Sequence, residues 1–200
     1  VILDVGCGPG EISMMMMDWL QAESVYGVDI SSKMTLRAQA TGVNATVIDL
    51  DKSPLPWPDQ TFDFIFFGET IEHLYDPDRT LGEIFRVAKT GAHLVVTTPN
   101  LVWWANRFVL LLGYQPFQSE ISLKTASIGK MLNAGDKPSG HIRLFTPRSL
   151  ASLLEFNNFH VIELRGAPLY SRIKGVPLKG VIDNLLSRRS SFAPVKAPFV

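Results

Sequence analysis

The segment GETIEHL, which begins at Gly68, carries the side chains best suited to chemistry in this sequence. In a helical turn starting there, Glu69, Glu72 and His73 would occupy positions i, i+3 and i+4 and share one face. Two carboxylates and an imidazole on one face suit a divalent metal such as Mg²⁺, Mn²⁺, Fe²⁺ or Zn²⁺. A fourth ligand is available from His141 in the later run GHIRLFT. The spacing makes these four residues candidate metal ligands.

The same residues have an alternative role without a metal. His73 would then line an acceptor pocket or act as a general base, and Glu69 is the second catalytic candidate. Acidic residues are also favoured at a helix start by the helix dipole, so Glu69 and Glu72 need have no chemical role. The sequence leaves both alternatives open.

A second candidate binding element is the run VILDVGCGPG, in which an apolar strand ends in glycines. Gly6, Gly8 and Gly10 have no side chains to keep a ligand away from the backbone N–H groups. Their G-x-G-x-G spacing differs from the G-x-G-x-x-G of dinucleotide enzymes, and the lysine of a P-loop is absent. The loop therefore favours a nucleotide-like ligand without a phosphate.

Two further acidic residues follow predicted strands at the same edge. Asp29, in the run VYGVDIS, ends the predicted strand about 20 residues beyond the glycine loop, where an acidic residue binds ribose hydroxyls. Asp49 ends the next strand and is placed to accept a hydrogen bond from an adenine amino group. Taken alone, Asp29 is equally suited to capping a helix, and Asp49 to being a solvated loop carboxylate.

The elements that would position these residues alternate between strand and helix. Apolar runs rich in Val, Ile or Phe predict strands at Val1–Val5, Ser24–Asp29, Ala45–Asp49, Phe62–Phe67 and His93–Thr97. Helical patterns lie between them at Glu11–Glu23, Lys33–Thr41 and Pro77–Val87. This alternation predicts an α/β fold with a parallel sheet and helices on both faces.

After Pro99 the alternation stops. A Trp- and Leu-rich helical run covers Asn100–Gly113, and an irregular segment covers Tyr114–Gly140. Irregular segments of that length are typical of functional lids, so residues of about 100–140 are predicted to form an acceptor-site insertion within one domain, 1–200. The apolar helix would pack on the core, cover an apolar acceptor or touch a membrane surface.

Beyond the insertion, a helix is predicted after the capping residue Thr146 and a sixth strand at Phe159–Leu164. A short helix near Val181–Ser187 and a seventh strand from Pro198 complete the prediction.

Composition narrows the class of protein. Lys plus Arg equals Asp plus Glu at 19 each. This balance disfavours a nucleic-acid partner, because proteins that bind nucleic acid are expected to carry a basic stripe. The single Cys7 cannot form an internal disulfide, which fits a reducing, cytoplasmic compartment. No apolar run is long enough for a membrane-spanning helix. No pattern bears on oligomeric state.

The motifs together carry a family resemblance. VILDVGCGPG, YGVDIS, VIDLDKSPLPWPDQTFDFIFFGETIEHLYDP and LVVTTPN resemble the successive motifs of class I S-adenosylmethionine-dependent methyltransferases, within them the broad type 11/23 small-molecule set. The resemblance covers about residues 1–165 and implies a Rossmann-like, seven-stranded sheet with an antiparallel last strand. Such enzymes usually have an N-terminal helix over the cofactor, which is missing here, and the last strand barely begins before Val200, so the sheet is expected to be truncated.

The resemblance also implies a set of residues that bind S-adenosylmethionine. They are Asp4, Gly6, Cys7, Gly8, Gly10, Asp29, Ile30, Asp49, Leu50 and Gly68. The loop glycines would face the methionine part and Asp29 the ribose. Ile30, Asp49 and Leu50 would border the adenine, and the backbone near Gly68 would meet the methionine amine. Cys7 is a small packing residue rather than a nucleophile.

The pattern E-x-x-E-H with a downstream histidine also resembles two metal-assisted families, the 3-demethylubiquinone-type O-methyltransferases and the small-RNA 3′-terminal 2′-O-methyltransferases. The function expected first is methyl transfer to a small-molecule or lipid- or sugar-linked acceptor, at oxygen. The alternatives are metal-assisted methylation of an RNA 3′ end and a catalytically inactive, cofactor-binding partner subunit. A dinucleotide-dependent oxidoreductase is disfavoured by the glycine spacing.

Overall fold

The helices and strands follow the apolar runs of the sequence closely. The computed structural model describes residues 1–132 and 137–166 and the backbone of a strand at 194–196. Within these residues the strands are β1 (Ile2–Val5), β2 (Val25–Asp29), β3 (Asn44–Val47), β4 (Phe62–Gly68), β5 (Ala88–Thr97), β6 (His160–Val161) and β7 (Pro194–Lys196). The α-helices are α1 (Glu11–Leu20), α2 (Ser32–Thr41), α3 (Pro77–Val87), α4 (Trp104–Leu111) and α5 (Pro147–Phe156).

These strands form one sheet in the order β3-β2-β1-β4-β5-β7-β6. Strands β1 to β5 pair in parallel, whereas β7 is antiparallel to β5 and β6. The prediction of a mostly parallel, seven-stranded sheet with an antiparallel last strand is confirmed. The last strand begins at Pro194, and both Pro198 and the predicted helix Val181–Ser187 lie outside the described residues. Because the strand order reverses between β1 and β4, the carboxyl ends of these two strands are where a sheet of this kind is expected to open a ligand crevice.

The sheet is buried on both faces at its centre. All four residues of β1 are buried. Leu3 and Val5 belong to the larger apolar cluster, and Ile2 belongs to a second cluster. Since neighbouring side chains of a strand point to opposite faces, each face of β1 is covered by its own cluster. This burial explains why the strand sequence shows no polar alternation.

Helix α3 has the bounds that the sequence predicts, because its signals are local. The Asp76 carboxylate accepts a hydrogen bond from the Arg79 backbone N–H at 3.0 Å, and Pro77 occupies the first turn. The predicted helix at Asn100–Gly113 is shorter in the structure, where α4 starts at Trp104. The preceding residues instead pair with a distant segment, since the Leu101 N–H donates to the Phe145 carbonyl at 2.8 Å.

Most apolar residues of α4 are exposed, although Val109 is buried. Trp104 and Leu111 are exposed, as are Phe108 and the following Leu112. The core-packing alternative is therefore wrong for these side chains. No helix in the part of the chain that the structure describes is both long and apolar enough to cross a bilayer.

Candidate active site

The three loop glycines are each required for a different reason. Gly6, Gly8 and Gly10 all have positive φ, at 82°, 53° and 85°. A Cβ at Gly6 would overlap the hydroxyl of Thr70, and a Cβ at Gly10 would lie 2.9 Å from the Ala38 Cα. A Cβ at Gly8 would meet nothing within 4 Å. Packing thus requires two of the glycines, while Gly8 faces open space that a ligand can enter.

Asp29 connects this loop to the next strand. One carboxylate oxygen accepts the Gly8 N–H at 2.9 Å, and the other accepts the Ser31 N–H at 2.8 Å. Each carboxylate oxygen can accept a second hydrogen bond, so the group retains capacity for ribose hydroxyls. The neighbouring Ile30 is 69% exposed, which leaves an apolar surface beside that carboxylate. The helix cap itself is Ser31, whose hydroxyl accepts the Met34 N–H, so Asp29 is not the capping residue.

Asp49 and Leu50 follow β3 at the same edge, but both already have partners. The Asp49 carboxylate accepts hydrogen bonds from the Lys52 ammonium at 2.7 Å and the Asp51 N–H at 3.1 Å. The hydrogen bond from Lys52 lowers the pKa of Asp49. The Leu50 side chain is buried in the larger apolar cluster, so its backbone is the part available to a ligand.

Asp4 and Cys7 lie beneath the loop rather than on its surface. Asp4 is buried and accepts a hydrogen bond from the Ser13 hydroxyl at 2.5 Å. Burial raises the pKa of Asp4 to about 7, although the Ser13 hydrogen bond lowers it and the charge of Asp29 raises it further. Burial also raises the pKa of the Cys7 thiol to about 12, which makes it a poor nucleophile. These two residues support the loop from below.

We expect Asp4→Asn to flatten the decrease of stability with pH. Because the pKa of Asp4 is about 7 in the folded state and 3.8 ordinarily, the folded chain holds a proton that the unfolded chain loses. The free energy of unfolding therefore falls as pH rises between these values, by up to about 1.4 kcal/mol per pH unit. Urea unfolding of both proteins across this range measures the slopes, and equal slopes would contradict the prediction.

The helical turn predicted at Gly68 does not form. Gly68 stays in β4, paired with Thr97 of β5, and Glu69 follows in a left-handed conformation with φ 47°. The Glu69 carboxylate then accepts a hydrogen bond from the Thr97 hydroxyl at 2.9 Å. A short 3₁₀ turn covers Ile71–His73 instead. The prediction that Glu69 shares a helical face with Glu72 and His73 is therefore wrong, since pairing with β5 keeps the backbone extended as far as Gly68.

Three of the four candidate ligands do come together. Glu72, His73 and His141 each offer a ligand atom, and these atoms lie within 4.8 Å of one another. Glu72 is 1% exposed; one carboxylate oxygen accepts the Thr98 hydroxyl at 3.0 Å, and Oε1 has no hydrogen-bond partner. Burial raises the pKa of Glu72. A buried carboxylate oxygen without a partner is costly unless another group satisfies it.

Backbone carbonyls orient both histidines. Nδ1 of His73 lies 3.0 Å from the Gly140 carbonyl, and Nδ1 of His141 lies 3.2 Å from the Gln118 carbonyl. Since a carbonyl can only accept, each Nδ1 carries a proton, and in a neutral ring Nε2 then has the free lone pair. Metal-binding histidines are commonly held this way. The residue types present therefore fit a divalent metal.

Sequence reasoning missed the residues that hold the His141 loop in place. The Glu120 carboxylate accepts the N–H groups of Ser139 and Gly140, at 2.5 and 2.7 Å. The Glu72 carbonyl accepts the N–H groups of Ile142 and Arg143. One signal was available, because the insertion 100–140 has only two acidic residues in its sequence, Glu120 and Asp136.

Comparisons with known proteins agree with this fold. Residues 1–164 match the family model of a methyltransferase domain. A demethylmenaquinone methyltransferase of Thermus thermophilus is 30% identical over 99 residues, which cover 48% of this chain and 45% of that protein. A protein of Mycolicibacterium smegmatis named "Probable S-adenosylmethionine-dependent methyltransferase" is 30% identical over 163 residues, covering 81% of this chain and 62% of that protein. The chain thus spans about half the length of the first of these relatives.

A solved S-adenosylmethionine-dependent methyltransferase of Methanosarcina mazei has the same fold, with a TM-score of 0.62 and 22% identity. That likeness covers 98% of this chain and 89% of the other. The family match covers most of the chain. The chain is a member of the S-adenosylmethionine-dependent methyltransferase domain family.

Proposed function

We propose that this chain methylates a small-molecule or lipid- or sugar-linked acceptor, at oxygen, with S-adenosylmethionine as methyl donor. The observation that carries the proposal is the open space over Gly8 beside the Asp29 carboxylate. In the same loop, Gly6 packs directly against Thr70, the residue that precedes the turn with Glu72 and His73. A cofactor site and a cluster of proton-accepting groups therefore share one crevice, which suits a cytoplasmic enzyme of small metabolites.

In this proposal the chain mainly aligns the cofactor with the acceptor and deprotonates the acceptor hydroxyl. S-adenosylmethionine supplies a methyl group that its positively charged sulfur already activates. Gly8 lets the backbone approach the methionine part, Asp29 holds the ribose, and Ile30 packs against the adenine. His73 accepts the proton of the acceptor hydroxyl through its free Nε2. Holding the acceptor in line with the methyl group supplies much of the rate enhancement.

The candidate cofactor-binding residues play different parts in this proposal, some touching the ligand and others supporting the loop. Gly8, Asp29 and Ile30 touch the ligand directly. Asp49 reaches the adenine by exchanging its exposed Lys52 partner, and Leu50 contributes its backbone, as does Gly68 at the methionine amine. The remaining candidates shape the loop from behind, and they are Asp4, Gly6, Cys7 and Gly10.

A divalent metal is the alternative to His73 as general base, because a metal on Nε2 of His73 would occupy the lone pair that otherwise accepts the proton. Glu72, His73 and His141 would bind it, and the metal would lower the pKa of a bound acceptor hydroxyl. The unpartnered Oε1 of Glu72 supports this assignment. Glu69 is left out, because its carboxylate is bonded to Thr97.

Small-molecule acceptors are favoured over RNA. The demethylmenaquinone methyltransferases among the relatives act, by their names, on a small molecule. Net charge is zero, whereas an RNA groove needs a basic surface. If the chain were an inactive partner subunit, it would bind the cofactor without methylating any acceptor. A panel of acceptors tests that alternative.

Thermal unfolding tests the cofactor directly. We expect S-adenosylmethionine and S-adenosylhomocysteine to raise Tm, because each binds the folded chain alone, while NAD leaves it unchanged. At a hundredfold excess over Kd, stabilisation of about 2.7 kcal/mol corresponds to a shift of roughly 5 to 10 °C. Stabilisation by NAD alone would overturn the assignment.

Glu72→Gln is expected to abolish metal binding, with Glu69→Gln as the matched control. Mn²⁺ should raise Tm of the unmodified chain and of Glu69→Gln, because Glu69 lies outside the three-residue cluster. The same titration should leave Glu72→Gln unchanged. Without metal, Glu72→Gln should be the more stable protein, since it removes a buried and partly unpaired charge. Equal Mn²⁺ shifts in the unmodified chain and in Glu72→Gln would exclude the metal site.

A further inference from the structure

Helix α4 presents an apolar face to solvent that the proposed chemistry does not use. Trp104, Phe108 and Leu111 lie at positions i, i+4 and i+7 and therefore share one side of the helix. They are 72%, 52% and 83% exposed. The buried residues Asn106 and Val109 hold the other side against the protein. Contiguous exposed apolar side chains of this kind mark interaction surfaces.

The orientation of α4 is fixed by one buried amide. The Asn106 amide donates to the carbonyls of Asn100 and Leu101 and to the side-chain oxygen of Gln118, at 3.3, 3.0 and 2.7 Å. Its oxygen accepts the Phe117 N–H at 3.0 Å. The amide nitrogen and the amide oxygen are thus both engaged, and they connect residues 100–101 with residues 117–118. Exposure of the apolar face is therefore built into the fold.

The charged residues of the segment 101–132 are predominantly positive. Arg107 lies on the same side of α4 as Trp104 and Leu111, at position i+3. Lys124 is exposed in the following loop, and neither cation forms an ion pair among the residues that the structure describes. The single acid of residues 101–132 is Glu120, whose carboxylate is bonded to the His141 loop. Exposed apolar side chains with unpaired cations fit an anionic lipid surface.

The apolar face also lies close to the candidate active site. The Trp103 ring contacts those of Trp104 and Phe117, with centroids 5.6 and 6.0 Å apart. The next residue, Gln118, accepts the hydrogen bond that orients His141. A surface seated on α4 is therefore connected to the metal-ligand cluster through two ring contacts and one hydrogen bond.

We infer that this face, formed by Trp104, Arg107, Phe108 and Leu111, docks the protein on an anionic phospholipid bilayer. The apolar side chains enter the interface, and the guanidinium lies at the level of the lipid phosphates. The chain that follows α4, residues 112–132, exposes further apolar residues, namely Leu112, Ile121, Leu123, Ile128 and Leu132. The inference rests on the proposed lipid-linked acceptor, because docking delivers such an acceptor at the mouth of the crevice.

Vesicle co-sedimentation tests the docking without cofactor or acceptor, so its failure and that of the proposed methyl transfer are distinguishable. Vesicles of phosphatidylcholine with phosphatidylglycerol are compared with phosphatidylcholine alone. The variant Trp104→Ser/Leu111→Ser removes two exposed side chains and should weaken binding at least tenfold. Arg107→Gln should weaken binding to the anionic vesicles about fivefold. The matched control is Leu36→Ser, which removes an exposed leucine from α2.

Binding to anionic vesicles that falls in the two α4 variants and persists in Leu36→Ser supports the inference. An absence of vesicle binding, or equal binding by the α4 variants, overturns it. Sedimentation velocity on the unmodified chain and the double variant covers the remaining alternative. A dimer that the double variant dissociates would assign the face to a second copy and also overturn the inference.

Discussion

Asp29→Ala is expected to weaken S-adenosylmethionine binding about a hundredfold. The substitution removes the carboxylate that would accept the ribose hydroxyls, and each hydrogen bond to a charged group contributes about 1.5 to 3 kcal/mol. Two such bonds correspond to at least two factors of ten in Kd. The same substitution releases the Gly8 N–H, which the carboxylate holds at 2.9 Å. Isothermal titration calorimetry with S-adenosylmethionine and S-adenosylhomocysteine measures the change.

Two further variants separate the causes of that loss. Asp29→Asn retains a carbonyl oxygen for one bond and should lose about tenfold, between the two extremes. Asp49→Ala should lose less than Asp29→Ala, because the Asp49 carboxylate is already bonded to Lys52 and the Asp51 N–H. If Asp29→Ala binds within a few-fold of the unmodified chain, the ribose is not held at this edge of the sheet.

Gly6→Ala is expected mainly to lower stability and Gly8→Ala mainly to weaken cofactor binding, although both glycines belong to one loop. Each alanine would take a left-handed conformation, which costs about 1 kcal/mol. At Gly6 the new Cβ also overlaps the Thr70 hydroxyl, which is itself bonded to the Gly68 carbonyl at 2.8 Å. Overpacking adds about 1 to 3 kcal/mol. Gly6→Ala should therefore lose about 3 kcal/mol of stability, and Gly8→Ala only about 1 kcal/mol.

Cofactor binding should rank the two variants the other way: Gly8→Ala loses less stability than Gly6→Ala but more affinity for the cofactor. The Cβ of Gly8→Ala points into open space, where the proposed cofactor lies, so binding should fall at least tenfold while the fold persists. Urea unfolding and calorimetry on both variants give the two readouts. Adding Thr70→Ala to Gly6→Ala should recover part of the stability, with a coupling of about 1 kcal/mol. Additive effects of Gly6→Ala and Thr70→Ala would contradict the steric explanation.

Local signals account for what the sequence predicted well. Helix α3 spans Pro77–Val87 as predicted, because its cap, its proline and its apolar stripe all lie within the segment itself. The parallel pairing of β1 to β5 follows from strand–helix alternation. The glycine loop and Asp29 could be paired from sequence because consecutive βα units place their strand ends side by side.

Spacing alone failed where a distant strand controls the backbone. A helical periodicity placed Glu69 with Glu72 and His73, but pairing of Gly68 with Thr97 keeps the backbone extended up to that point. Glu69 then turns away and bonds to the same threonine. The shortening of α4 has a similar cause, because its first predicted residues pair with Phe145.

The amino-acid sequence by itself determined the fold class, the strand edge that carries the crevice, and the residue types available for a cofactor and a metal. Only the tertiary structure decided which of them meet. It separated Glu69 from Glu72, brought His141 to His73, left Gly8 facing open space and turned the apolar face of α4 outward. The physical reason is that periodicity and capping act within a few residues, whereas these contacts depend on strand pairing, loop hydrogen bonds and packing between segments far apart in the chain.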